Sequence, residues 1–191
     1  MSGNRRSIRL KNYDYTREGA YYVTICADEH ACRGGSRTAL DRNIFSCVKN
    51  GEITLNNAGK MVDKLWRELP EKYATVEIDE YKIMPNHLHG TIMIAGNDKN
   101  GDVGAGFPRP DNGKGRGNRA PTLGQIIAYF KCGSTKQINA KRNTPGTRLW
   151  QRNFYEHIIR NEFDLTKIRE YIVNNPVRWK EDDYYCDENA K

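Results

Sequence analysis

Apolar residues recur along the chain in two periods, and the alternation between them outlines the elements. Residues 20–27 (Ala-Tyr-Tyr-Val-Thr-Ile-Cys-Ala) form an apolar run that hardly alternates, which predicts a strand buried on both faces. Residues 45–48 and 52–55 flank Lys49-Asn50-Gly51, the pattern of a hairpin with its turn. The period then changes. Met61, Leu65 and Leu69 share a face with Val62 and Trp66 beside them, predicting a helix capped by Asn56 or Asn57 and stopped by Pro70. Residues 76–83 and 88–94 read as two strands, rich in β-branched and aromatic residues, joined through Met84-Pro85-Asn86-His87-Leu88-His89-Gly90. Thr122 caps a second helix from 123 to about 140, with Ile126, Ile127, Phe130 and Ile138 apolar. Residues 149–160 look extended, and Asp164 caps a third helix from 165 to about 175, ended by Pro176.

The order strand, hairpin, helix, strand, strand, helix, strand, helix predicts an α+β fold: a ferredoxin-like antiparallel sheet with helices packed on one face. At 191 residues the chain suits a single domain spanning 1–191. Residues 95–121 hold seven of the 17 glycines together with Pro108, Pro110 and Pro121, so they read as a flexible Gly-rich insertion. Residues 181–191 form an acidic tail expected to fray.

Charge narrows the partners. A net charge of +7 and a pI of about 9.1 favour an anionic partner, with nucleic acid the commonest; a basic surface without a specific partner is the alternative. Arg5, Arg6, Arg9 and Lys11 form a basic arm able to grip phosphates, or simply a solvated tail. Lys131, Lys136, Lys141 and Arg142 make the far side and end of the second helix basic. The five cysteines are odd in number and none form Cys-x-x-Cys, which argues against a disulfide framework or a thiolate zinc site and for a reducing compartment. No apolar run approaches the length of a membrane span, and a cytoplasmic location is expected.

The candidate chemistry begins at His87 and His89. In extended backbone their side chains leave the same face about 7 Å apart at Cα, close enough to converge on one divalent metal, while Leu88 points into a core. Solvated or hydrogen-bonded histidines would show the same spacing. On the last helix Tyr171 and Asn175 lie one turn apart on one face. Asn175 offers a carbonyl oxygen suited to Mg²⁺ or Mn²⁺, and Tyr171 a phenol able to attack a phosphate. Tyr171 is also one of eleven tyrosines and could pack on the sheet; Tyr129 and Tyr155 are rivals, and His157 is expected to hydrogen-bond nearby without serving as a ligand.

Taken together, several fragments in this order resemble the REP-associated tyrosine transposases, a branch of the single-tyrosine HUH nucleases. They are the 5–10 arm, the 84–90 motif, Leu149-Trp150-Gln151-Arg152, Tyr155-Glu156-His157-Ile158-Ile159-Arg160 and Tyr171-Ile172-Val173-Asn174-Asn175-Pro176-Val177. The resemblance covers nearly the whole chain except the Gly-rich insertion. It implies the HUH endonuclease fold, His87 and His89 as the metal pair, Asn175 as third ligand and Tyr171 as nucleophile. Other branches carry Gln where Asn175 stands, so the shorter side chain here bears on metal placement. The implied activity is metal-dependent cleavage and rejoining of single-stranded or hairpin DNA through a 5′-phosphotyrosine link, with Mg²⁺ or Mn²⁺ and no small-molecule cofactor. The protein would act as a monomer or homodimer, apart from membranes and associated with the nucleoid. Lys131, Arg152, Arg160, Arg5, Arg6 and Arg9 are the candidate backbone contacts. A phenolate with a pKa near 10 leaves more readily than an alkoxide, so the link would stay reversible without ATP. Two other readings compete: a nucleic-acid-binding module that keeps the fold without chemistry, and a hydrolase that uses water as its nucleophile.

Overall fold

The computed structural model describes residues 18–28, 43–95 and 121–185. The arm with Arg5, Arg6 and Arg9, all of the Gly-rich insertion but its two end residues, and the last six residues lie outside them. Among the described residues six strands and four helices follow, in the expected order but for the added short α2: β1 (Gly19–Cys26), β2 (Ser46–Lys49), β3 (Glu52–Leu55), α1 (Asn57–Arg67), α2 (Leu69–Lys72), β4 (Val76–Ile83), β5 (His87–Ile94), α3 (Leu123–Arg142), β6 (Tyr155–Ile159) and α4 (Glu162–Asn174), then a 3₁₀ turn at Trp179–Glu181.

The main sheet runs β4-β5-β1-β6, antiparallel throughout. Numbered within that sheet the order is 2-3-1-4, so the α+β, ferredoxin-like expectation holds. β2 and β3 form a separate hairpin. Its turn residues Asn50 and Gly51 both have positive φ, 54° and 79°, as a type I′ turn requires.

The pleat sorts the central strands onto two faces. Tyr21, Val23 and Ile25 of β1 and Leu88, Ile92 and Ile94 of β5 join Val62, Leu65 and Trp66 of α1 and Ile126, Ile127 and Phe130 of α3 in the main core. On the other face Tyr22 and Ile159 pack against Leu165 and Ile172 of α4. The helices therefore cover both faces, correcting the one-face expectation. A helix over one sheet face alone would leave Tyr22, Ile159 and Met93 in water.

Local boundaries also differ from the sequence reading. α1 ends at Arg67, and Pro70 sits in the first turn of α2, where its missing N–H costs nothing. Asn161 caps α4, accepting from the Asp164 N–H at 2.8 Å, so Asp164 is a first-turn residue and not the cap. Only Tyr155–Ile159 of the extended segment is strand; Trp150 makes a single bridge to Ala27. No helix among the described residues is long and apolar enough to cross a membrane.

Candidate metal centre and nucleophile

β5 carries His87, His89, Thr91 and Met93 on the face opposite the main core. Both histidines are buried, and their Nε2 atoms lie 2.8 Å apart. Each ring is steered through its other nitrogen. Asn86 donates its Nδ2 to the Tyr184 carbonyl at 2.7 Å, which turns its Oδ1 onto His87 Nδ1 at 2.8 Å. That oxygen can only accept, so His87 carries its proton on Nδ1 and leaves the Nε2 lone pair facing the site. His89 Nδ1 meets the Tyr22 hydroxyl at 2.7 Å and Thr24 Oγ1 at 3.0 Å, both from β1, where Thr24 is its cross-strand partner. Burial first, and the neighbouring His89 second, push the His87 imidazole well below the usual histidine range, so it stands neutral and able to ligate.

The third group is one the sequence reading missed. Past Pro176 the chain turns back, and Asp182 enters the site with its side chain 1% exposed. Its Oδ2 lies 3.7 Å from His89 Nε2 and 4.0 Å from His87 Nε2. Burial alone would raise this carboxyl. The His89 imidazole 3.7 Å away, and hydrogen bonds from Asn175 Nδ2 (2.7 Å) and from the Tyr184 N–H (2.7 Å), outweigh it and hold the group well below the usual carboxylate range. The Tyr184 ring stands 4.8 Å from the His87 ring and the Trp179 ring 5.8 Å. The segment expected to fray is therefore ordered through Tyr185, because it packs an aromatic ring and a buried carboxylate against the histidines. Trp179, Tyr184 and Tyr185 among the acids were the available signal, since a solvated tail has no use for them.

Asn175 is the C-cap of α4 and is buried. With Nδ2 committed to Asp182, its Oδ1 is a buried acceptor with no hydrogen-bond partner. An orphan carbonyl oxygen of this kind is costly unless something meets it. His87, His89 and Asp182 each offer a ligand atom, and all three lie within 4.8 Å of one another. Two imidazoles, a carboxylate and a waiting carbonyl oxygen fit a divalent cation.

Tyr171 projects from α4 over this centre. Its ring is 5.3 Å from the His89 ring and 6.2 Å from the Tyr22 ring, both edge-on, and the residue is 48% exposed. Burial and the Asp182 charge push the phenol above its ordinary value, while contacts with Tyr22 and Asn175 pull the other way. A cleft of about 400 Å³ opens beside it, with Asn175, Arg178 and Asp182 in its wall.

The other predicted residues are placed differently. Lys131 donates to the carbonyls of Gln151 (2.9 Å) and Asn153 (3.0 Å) and lies 5.4 Å over the Phe154 ring; burial brings its ammonium down to about 8. It ties α3 to the segment before β6. Arg152 and Arg160 are exposed at the two ends of β6. Tyr129 packs on Tyr73 at 5.8 Å, away from the histidines, whereas Tyr155 lies on the site's face, 6.2 Å from Tyr22. His157 pairs with Asp164 at 2.9 Å and stays out of the cluster of candidate ligands.

Fold and site together define an antiparallel α+β domain with a buried His-x-His-Asp centre beneath a half-exposed tyrosine. No family model matches the chain. An uncharacterized protein of Haemophilus influenzae is 39% identical over 184 residues, covering 96% of this chain and 94% of its own length. The chain belongs to one family with that protein. A second Haemophilus influenzae protein, provisionally designated a REP-associated tyrosine transposase, is 29% identical over 104 residues, 50% of this chain and 47% of its own. The chain is thus similar to the REP-associated tyrosine transposases, the likeness its motifs carry. A solved structure of such a transposase bound to a REP hairpin is 18% identical, with a TM-score of 0.48 over 94% of this chain and 74% of its own.

Proposed function

We propose that this chain is a divalent-metal-dependent endonuclease and strand transferase for single-stranded DNA, acting at hairpin-forming repeats through a covalent 5′-phosphotyrosine link on Tyr171. One juxtaposition carries the reading: the Tyr171 phenol faces His89 across a pair of imidazoles that Asp182 and the orphan Asn175 Oδ1 complete. A Mg²⁺ or Mn²⁺ ion held by His87, His89, Asp182 and Asn175 would polarise the scissile phosphate.

The chain's own groups supply the rest. Asn86, Tyr22 and Thr24 hold the two rings with their Nε2 atoms toward the site. Asp182 brings negative charge to that point and is itself fixed by Asn175 and the Tyr184 N–H. Tyr171, ordered by its helix yet half exposed, gives up its proton and attacks phosphorus. The P–O3′ bond breaks, and the departing 3′ oxygen takes up a proton. A second 3′-hydroxyl can reverse the step, because the phenolate leaves readily and the phosphodiester energy is kept in the link. An exposed phenol above buried ligands suits a backbone phosphate in a single strand, which can bend into the site where a duplex cannot.

The test is a labelled single strand carrying a hairpin, incubated with Mn²⁺ or Mg²⁺ and resolved under denaturing conditions. A protein–DNA band resistant to denaturation is expected with wild type, and is lost in Tyr171→Phe, in His87→Ala and with chelator. A band that survives Tyr171→Phe removes Tyr171 as the nucleophile. Cleavage without any band points to water, and binding without cleavage points to a module that keeps the fold alone.

A further inference from the structure

A second cleft, of about 870 Å³, lies between the C-terminal half of α3 and the segment 143–152. Among the described residues its wall carries the cations Lys131, Lys136, Arg148 and Arg152 and no carboxylate. Pro145 lies among them, with the apolar side chains of Leu149 and Trp150 behind. That apolar wall is rigid: Trp150 is buried, donates Nε1–H to Ser134 Oγ at 2.8 Å and stacks on Phe45 at 4.7 Å. The segment is pinned as well, through Asn139 Nδ2 to the Thr147 carbonyl at 2.6 Å. Apolar surface bordered by cations suits a nucleotide, which presents a flat base and a charged phosphate.

The cleft lies on the α3 side of the sheet, opposite the histidines, and is linked to the candidate centre through the end of β1. Trp150 bridges Ala27, the Gln151 N–H bonds the Cys26 carbonyl at 2.9 Å, and Cys26 is the cross-strand partner of His87. Two strand spacings, about 10 Å, thus separate Gln151 from the His87 backbone. From there Arg152 leads to Tyr155, a half-exposed ring on the site's own face opposite Thr24. The cleft beside Tyr171 has the opposite character: with Asp182 given to the centre, Lys167 and Arg178 stand against Glu170, Glu181 and Asp183, two cations to three carboxylates. A polyanion leaving the site is repelled there and drawn toward the α3 cleft.

We infer that this cleft is a subsite for the single-stranded DNA flanking the scissile phosphate, with Lys136 and Arg148 contacting backbone phosphates and Arg152 guiding the strand toward Tyr155. The identity of the strand rests on the proposed function; the binding does not require its chemistry. Arg148 lies 3.5 Å from Asp28 with its side chain 67% exposed, a solvent-screened contact that a phosphate can displace.

The test measures fluorescence anisotropy of a labelled DNA hairpin with single-stranded tails, in chelator, against wild type, Lys136→Gln, Arg148→Gln and the double variant. On a single strand each phosphate contact contributes a slope of about −0.7 in log K against log salt, so losing one costs roughly fivefold in affinity near 0.1 M salt. The expected result is that loss in each single variant, with a salt slope shallower by about 0.7 per residue removed. Binding of a blunt hairpin without tails and the affinity for Mn²⁺ stay at wild-type values. Both residues are exposed, and thermal melts check that the fold is kept. A double variant that binds the tailed hairpin like wild type overturns the inference. So does an equal loss for tailed and blunt hairpins, or a loss seen with RNA tails and absent with DNA tails. Failure of the covalent chemistry would show separately, as a missing protein–DNA band with tail binding intact.

Discussion

Replacing Gly90 by alanine asks one carbon to share space already filled by an indole. A Cβ at Gly90 would stand 2.6 Å from Cζ2 and 3.2 Å from Cε2 of Trp66, and 3.2 Å from Cβ of Tyr81. Ordinary contact between carbons is about 3.5–4.0 Å, so something must give by roughly 1 Å. Trp66 has little freedom, being fully buried with the Phe130 ring edge-on at 5.1 Å and the Tyr81 ring at 6.2 Å. β5 has little either, since it is paired on both sides by β1 and β4. Overpacking of this kind costs about 1–3 kcal/mol. At about 2–4 °C per kcal/mol for a domain of this size, Tm should fall by roughly 2–12 °C in a calorimetric or circular dichroism melt. Gly90 follows His89, so a strand that yields also shifts an imidazole, and Mn²⁺ affinity should fall with Tm. Trp66→Phe removes the outer edge of the indole and makes room. The double variant should therefore lose less than the two single losses combined. A Gly90→Ala protein that melts within about 1 °C of wild type, or strict additivity in the double, would refute the packing account.

Asp182→Asn removes a carboxylate charge about 4 Å from the two Nε2 atoms, a gross attraction on the order of 4 kcal/mol per unit charge at an effective dielectric near 20. Part returns as relieved desolvation, so calorimetric titration with Mn²⁺ should show affinity at least ~10-fold lower; unchanged affinity would take Asp182 out of the centre. Asn161→Ala deletes the cap of α4 and should cost about 1 kcal/mol, read as a Tm lower by about 2–4 °C. The hydrogen bond to His157 holds the Asp164 carboxyl below its ordinary value. Its contribution to stability is thus present above the usual carboxylate range and fades as pH falls through the lowered value. Carbon-13 NMR titration should find that low midpoint in wild type and a return upward in His157→Gln.

The periodicities of the sequence were enough for the strands, the longer helices and the antiparallel order, because burial of one face or two writes itself into side-chain spacing. They were enough for His87 and His89 too, since residues two apart on a strand share a face whatever the fold does elsewhere. The cap of α4 was misplaced by three residues because Asn161 and Asp164 are both good caps and only backbone geometry chooses between them. The layering is not legible in the sequence because a helix with modest apolar character can pack on either face; Tyr22, Ile159 and Met93 are what α4 covers.

Asp182 shows the deeper limit. It stands 93 residues from His89, and nothing local distinguishes it from Asp183 beside it. It belongs to the centre because the chain turns after Pro176 and folds its aromatic residues over His87, which brings one carboxylate inward and leaves its neighbour in water. Local spacing thus fixed what each element could offer. Tertiary packing decided which offers met, because desolvation and hydrogen-bond partnership depend on every segment that closes over a site.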